Sequence, residues 1–363
     1  MLSIYDDLAL HQTPATLDQP ASSDPAAYER YYFGFFSDDG TAAVGLTVNV
    51  HPNKGLIDAA FAVSGAGRHE SLMSSDHLGH DRADLTCGDI RLTLEDPMRS
   101  LRITVTGPDI TADLRFAATT PAIEESRVTR YRANRVVQDR SRYVQLGTIT
   151  GHVTSPLGEW NLDDQPWRGG RDHSWGIWDA PRQHASESKN ASPSFFWLIG
   201  TFDDWALQAV THENADGETY GEYAAVCPTL AAGAEPAGPG ARQQAHPVTG
   251  LDVTFPDRGW HFTDAHLTLG AAQVGDLEHV EMESIHTLLP RAIGYGHPTW
   301  ISGDVPDELP TSSRDSWTLD DEDLDERINH RGLQAVRLTR ADGAVGFGVV
   351  DQCVSVSRAQ RTS

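Results

Sequence analysis

Trp160-Asn-Leu-Asp-Asp-Gln-Pro-Trp167-Arg-Gly-Gly-Arg171-Asp-His-Ser-Trp175-Gly-Ile-Trp178 is the most informative stretch of the 363-residue chain. Four of the nine tryptophans fall here, enough aromatic surface to wall an apolar pocket and to steady a cation. The pair Gly169-Gly170 allows a tight backbone path, and Gly176 allows another. If the segment is extended, Asp172 and Ser174 share one face, and Arg171, His173 and Trp175 share the other. Polar groups on a face turned inward need partners. Two readings follow. In one, Asp172 pairs with an arginine, Arg171 included, and His173 satisfies a backbone carbonyl. In the other, the same groups form the polar centre of a ligand pocket.

The flanking sequence argues for strands. Ile90, Leu92 and Leu94 alternate with Arg91 and Thr93. Leu101, Ile103 and Val105 alternate with Arg102 and Thr104, and Val336 and Leu338 with Arg337 and Thr339. A period of two marks a half-buried strand. Asp39-Gly40, Asn53-Lys54-Gly55, Asp216-Gly217 and Asp342-Gly343 read as turns. Many short strands, frequent turns and few helical periods predict an all-β protein of sandwiches or barrels. Its length suits two domains. The expected division is an N-terminal arm over 1–25, a first β domain over 26–185 and a second over 186–363. A boundary is expected within Gln183 to Pro193, with loops near 231–247 and 304–327, the latter a surface excursion with one short helix.

A net charge of −24 repels phosphate backbones, so nucleic acid is excluded as a partner. No apolar run is long enough to span a bilayer, and the N-terminus lacks the basic and apolar pattern of a signal peptide. Cys87, Cys227 and Cys353 lie far apart in an odd set, which fits a reducing cytoplasm rather than a disulfide framework. Phosphate-binding glycine motifs and a nucleophile elbow are missing, so no cofactor is expected. His77 and His80 invite a metal reading, but Gly79 lies between them and no further ligand has a matching spacing, so a polar loop is expected there and no metal.

The string Arg171-Asp-His-Ser-Trp-Gly176 resembles the signature of the family that includes carotenoid 1,2-hydratase (hydroxyneurosporene synthase) and the AttH-like proteins, and is most similar to its uncharacterised bacterial members. Tyr28-Glu-Arg-Tyr-Tyr-Phe33, followed by Asp38-Asp39-Gly40, resembles that family's first strand and turn. Gly294-Tyr-Gly-His-Pro-Thr-Trp300 resembles a second motif, and Gly346-Phe-Gly-Val-Val-Asp-Gln352 a closing strand. The resemblance runs over about residues 28 to 355. It implies two lipocalin-like antiparallel β-barrel or sandwich domains packed together. It also implies activity on hydrophobic molecules: hydration of isolated carbon–carbon double bonds, or isomerising cyclisation. Two departures stand out: Trp178 and Ile301 replace polar residues common in the family.

These readings converge on a cofactor-independent lyase, hydratase, isomerase or cyclase for a terpenoid, steroid or polyketide-like molecule. Asp172, His173 and His297 are the expected acid–base groups; a carboxyl among apolar rings stays protonated near neutral pH, whereas pairing with Arg171 would lower its pKa. Arg171, Trp167, Trp175, Trp178, Tyr32, Tyr295 and Trp300 are the expected substrate contacts. The alternative is a lipid- or terpenoid-binding protein that transforms nothing, since fold does not imply catalysis. A homodimer stays open.

Overall fold

The computed structural model describes residues 1–2, 4–178, 194–213, 219–237, 243–270, 275–295, 297–319 and 330–354. Among these residues there is no α-helix, and no helix is long and apolar enough to cross a membrane. Twelve strands follow one another in the first half: β1 (Ala27–Ser37), β2 (Ala42–His51), β3 (Leu56–Gly65), β4 (Arg68–His77), β5 (Leu85–Cys87), β6 (Ile90–Asp96), β7 (Ser100–Thr106), β8 (Thr111–Ala118), β9 (Ile123–Arg132), β10 (Arg135–Ser155), β11 (Gly158–Asn161) and β12 (Trp167–Trp178). The second half adds β13 (Ser194–Thr201), β14 (Trp205–Glu213), β15 (Thr219–Pro228), β16 (Gln244–His246), β17 (Val248–Thr254), β18 (Asp264–Leu269), β19 (His279–Leu288), β20 (Thr311–Thr318), β21 (Arg331–Arg340) and β22 (Val345–Cys353).

The strands form two antiparallel sheets that curl into packed barrels. The first runs β20-β4-β3-β2-β1-β12-β10-β8-β7-β6-β5, with β9 and β11 also paired to β10. The second runs β16-β15-β14-β13-β22-β21-β19-β18-β17. Asp39-Gly40, Asn53-Lys54-Gly55 and Asp342-Gly343 join successive strands as their sequences predict, each glycine at positive φ. Asp216-Gly217 and the stretch 183–193 lie outside the described residues. The 304–327 excursion differs from its expected form. Thr311–Thr318 is a strand of the first sheet, paired to β4 from Thr311↔Ser75 to Thr318↔Arg68.

Three apolar layers result. One fills the first barrel, where Ile90, Leu92, Leu101, Ile103 and Val105 point inward as their alternation requires. Leu94 is 40% exposed because the register shifts just after it. A second layer fills the other barrel and takes Val336 and Leu338. The third lies between the barrels. Strand β1 is therefore buried on both faces: Tyr31, Phe33 and Phe35 face the first core, and Tyr32 and Phe36 face the second barrel.

The barrels approach closely over a row of glycines. Gly45, Gly34 and Gly170 sit side by side on β2, β1 and β12. A Cβ on Gly34 would stand 2.4 Å from Leu333 Cδ2, one on Gly45 2.7 Å from Leu288 Cδ2, and one on Gly170 2.0 Å from Ile199 Cδ1. All three neighbours belong to the layer between the barrels. Overfilling a packed site costs about 1–3 kcal/mol, occasionally more. Gly170→Val is accordingly expected to lower the urea midpoint with an unchanged m-value; an unchanged midpoint would show that the interface gives way freely.

His69 of β4 is buried in the same layer and stacks on Trp317 at 5.3 Å between centroids. The Leu289 amide donates to its Nε2 at 3.3 Å. Burial, reinforced by His286 and Arg291, pushes the imidazole pKa down from 6.5 to about 3. With the folded value below the unfolded one, the unfolded chain takes the extra proton between them. This contribution to stability is full above pH 6.5 and drains away as pH falls toward 3. His69→Phe is expected to show a shallower loss of stability across that window in denaturant titrations; an identical slope would assign the acid sensitivity elsewhere.

Candidate functional site

Strand β12 lies between β1 and β10, and its pleat sends adjacent side chains to opposite barrels. Tyr32 is opposite Asp172, and Arg30 is opposite Ser174. Arg171 and Asp172 do not pair. Arg171 points into the first barrel and donates to Gln145 Oε1 from Nε at 3.1 Å and Nη2 at 2.5 Å. Its guanidinium lies over the rings of Phe116 and Tyr143. Gln145 in turn donates to the carbonyls of Met98 and Thr120, so Arg171 is tied into a structural tie across the barrel. His173 shares that face, stacked on Tyr31 with 4.1 Å between centroids. Its Nε2 contacts Glu29 at 2.7 Å and its Nδ1 faces the Tyr143 hydroxyl at 3.4 Å. Trp167 is sealed in the first core and Trp175 is 42% exposed.

Asp172 faces the second barrel. Arg30 Nη2 donates to its two oxygens at 3.1 and 3.3 Å, and Arg142 Nη1 stands 3.8 Å away. The same Arg30 donates to the Tyr295 hydroxyl and lies over the rings of Trp178, Tyr295 and Tyr32. Arg142 is bound to Glu125 at 2.6 Å and lies over Trp197. Glu125 also accepts from Trp197 Nε1 at 2.7 Å and from Gln208 Nε2. On the far side Arg331 pairs with Asp351 at 2.9 Å, 4.1 Å above the Tyr295 ring. The two sheets thus share a buried chain of charges, with Arg30, Glu125, Arg142 and Asp172 from one and Trp197, Gln208, Arg331 and Asp351 from the other.

Around this chain Tyr32 Oη, Arg30 Nε, Arg142 Nε and the acceptor Gln208 Oε1 are buried with no hydrogen-bond partner among the described residues, and the buried hydroxyls of Tyr28 and Ser174 have at most each other. Burial raises the pKa of Tyr28 and lifts that of Tyr32 well above its usual value. Burial outweighs Arg30 and Arg331 at Tyr295 and pushes it up to about 12. All three phenols are therefore neutral hydroxyls near pH 7. The arrangement places buried hydroxyl and guanidinium donors in the same network as a carboxylate that acts as an acceptor.

The sequence-predicted residues divide into three groups. Asp172, Tyr32, Trp178 and Tyr295 meet at the charge chain. Arg171, His173, Trp167 and Trp175 lie on the first barrel's side. His297 and Trp300 belong to neither. His297 accepts the amides of Trp300 and Thr299 at Nδ1, at 3.0 and 3.2 Å, and its Nε2 contacts Asp315 of β20 at 2.9 Å. Trp300 fills the layer between the barrels and donates to Ser75 at 3.2 Å. These two anchor the segment that delivers Tyr295. The unanticipated members include Tyr28, Arg30, Glu125 and Arg142, the second barrel's Trp197, Gln208, Arg331 and Asp351, and Arg140, which stands 3.8 Å from Glu125. The signal for those on β1 and β10 was the every-second-residue spacing of Tyr28, Arg30 and Tyr32, and of Arg140, Arg142 and the buried Val144.

Removing one partner of a buried ion pair leaves the other uncompensated and costs about 3–5 kcal/mol. Asp172→Leu is expected to destabilise the protein on that scale, and Arg30→Met added to it is expected to restore part of the loss. Strictly additive single-variant losses in denaturant titrations would show that the two side chains are energetically independent.

Two packed antiparallel barrels define a known fold. A putative AttH from Nitrosomonas europaea shares it at 15% identity, with 92% of this chain and 94% of that chain covered and a TM-score of 0.57. Kievitone hydratase from Nectria haematococca shares it at 10% identity, with 94% and 93% covered and a TM-score of 0.52. No curated protein matches the chain. Residues 2–361 match a family described as a family of unknown function, DUF8625, and the chain belongs to it.

Proposed function

We propose that this protein is a cofactor-independent lyase of the hydratase or dehydratase type, or an isomerase or cyclase, that acts on a hydrophobic terpenoid, steroid or polyketide-like molecule between its two barrels. The observation that carries this reading is the Asp172 carboxylate, held by Arg30, with the buried hydroxyls of Tyr28 and Tyr32 close enough to feel its charge. Kievitone hydratase, one of the structures that share the fold, is named for adding water. The motif resemblance to carotenoid 1,2-hydratase points the same way.

The geometry favours particular roles. A neutral phenol donates a hydrogen bond to a substrate oxygen but is too weak an acid to protonate an isolated alkene. Tyr28, Tyr32 and Ser174 therefore polarise a carbonyl or hydroxyl oxygen. Asp172 takes the proton released from substrate or water, and Arg30 steadies the resulting change in charge. Trp178, Trp197 and Tyr295 bear on the hydrocarbon. His173 is separated from Asp172 by the sheet and belongs to the first barrel's side. His297 positions Tyr295.

Incubation with a panel of enones, alkenes and tertiary alcohols in ¹⁸O-labelled water distinguishes the possible reactions. Hydration incorporates the label, whereas isomerisation and cyclisation do not. Asp172→Asn and Tyr32→Phe are each expected to lower kcat about 10²- to 10⁴-fold, the range for a lost acid–base group. Turnover that survives both substitutions would overturn the assignment. Saturable binding without turnover across the panel would identify a carrier.

A further inference from the structure

Among the described residues the charge chain does not balance. Arg30, Arg140, Arg142 and Arg331 supply four guanidinium groups; Asp172, Glu125 and Asp351 supply three carboxylates. Arg140 is the one left over. Its side chain is 10% exposed, and its nearest carboxylate oxygen, Glu125 Oε2, is 3.8 Å away, beyond hydrogen-bond distance. Glu125 is already committed to Arg142, Trp197 and Gln208. The remaining described contact of the Arg140 guanidinium is the face of Trp178, at 5.6 Å. Burial and the neighbouring Arg142 charge pull the Arg140 pKa down to about 10, against the weaker opposing pull of Glu125.

The atoms near Arg140 add to the imbalance. Tyr28 lies against Trp178 with 6.0 Å between centroids. Its hydroxyl and that of Ser174 bear on each other, so one hydroxyl proton of the pair is left to donate, and Arg30 Nε and Arg142 Nε are buried without a partner among the described residues. Three donors beside a guanidinium with no described carboxylate within hydrogen-bond distance favour an acceptor that carries negative charge. The chain as a whole has a net charge of −24, so its long-range field repels anions; affinity for one has to come from a local site.

We propose that the substrate of this site carries an ionised oxygen, a carboxylate or an acidic enol or phenol, on an apolar skeleton, and that Arg140 is the residue that selects it. The hydrocarbon lies along Trp178 and Trp197, and the anionic group is drawn to Arg140, Tyr28 and Ser174. This deepens the proposed function, since it takes the site between the barrels to be the substrate site.

A matched pair of fluorescent probes tests it without turnover. 8-Anilinonaphthalene-1-sulfonate carries a sulfonate that N-phenyl-1-naphthylamine lacks, and the two otherwise share one skeleton. The full chain is expected to bind the sulfonate at least about tenfold more tightly, the scale of a charge-assisted contact. Arg140→Gln is expected to abolish that preference while changing affinity for the neutral probe less than about twofold, and Arg140→Lys to restore part of it. Arg337→Gln, which removes an exposed charge elsewhere, controls for bulk electrostatics. The proposal is overturned if the neutral probe binds as tightly, if Arg140→Gln leaves sulfonate affinity unchanged, or if Arg337→Gln costs as much. Arg140→Gln also removes a charge that burial penalises, so its Tm without ligand is expected to equal or exceed the parent's. A marked drop would make Arg140 a structural residue and overturn the assignment. Anion selectivity at Arg140 without turnover would sustain this inference and sink the enzymatic reading; turnover of neutral substrates without selectivity would do the reverse.

Discussion

The structure depends on a layer of charge confined between two sheets. Arg30 and Asp172 are at most 7% exposed, at a depth where a lone charge costs several kcal/mol. Neither sheet could bury this layer alone. The first barrel brings Asp172, Arg30, Arg142 and Glu125; the second brings the indole of Trp197, the amide of Gln208 and the Arg331–Asp351 pair. Apolar surfaces can slide over one another with little change in energy, but donors and acceptors cannot. The charge chain therefore selects one seating of barrel on barrel. The glycine row at Gly45, Gly34 and Gly170 lets the backbones come close enough to reach it.

The pleat of β12 explains how one short sequence serves two environments. Arg171 and His173 belong to a ring-lined, hydrogen-bonded wall of the first barrel. Asp172 and Ser174 belong to the interface. Adjacent residues in the motif thus have separate duties, one set fixing β12 to β10 and the turns beyond it, the other offering chemistry. Trp178 fits the same scheme. An indole there, in place of the arginine common in the resembled family, lies over both Arg30 and Arg140.

Much of the fold was legible because exposed faces of strands announce themselves. Ile90 and Leu92, and Leu101, Ile103 and Val105, alternate with exposed or half-exposed neighbours. Where both faces are buried the period vanishes, as in β1 and β2, and only composition remains. The opposite orientation of Arg171 and Asp172 followed from strand geometry alone. The identity of Asp172's partners did not, because Arg30 and Arg142 come from strands far away in sequence, and pairing across a sheet is a property of register. For the same reason β20 was missed. Ser312, Ser313 and Ser316 make a polar segment that looks like a loop until an open edge is available to it.

That edge strand links the fold to its synthesis. Ser71 of β4 donates to the carbonyl of Asp315, 244 residues away along the chain. A ribosome adding about 5–20 residues per second needs roughly 12–50 s to cover that distance. Throughout that interval β4 has finished one side and offers the other, a row of unpaired backbone groups, to whatever passes. The core of the nascent first barrel, whose residues all precede β13, thus forms beside an uncovered strand edge. The eight residues of β20 cover the free side of β4 and take its place as the edge of the sheet.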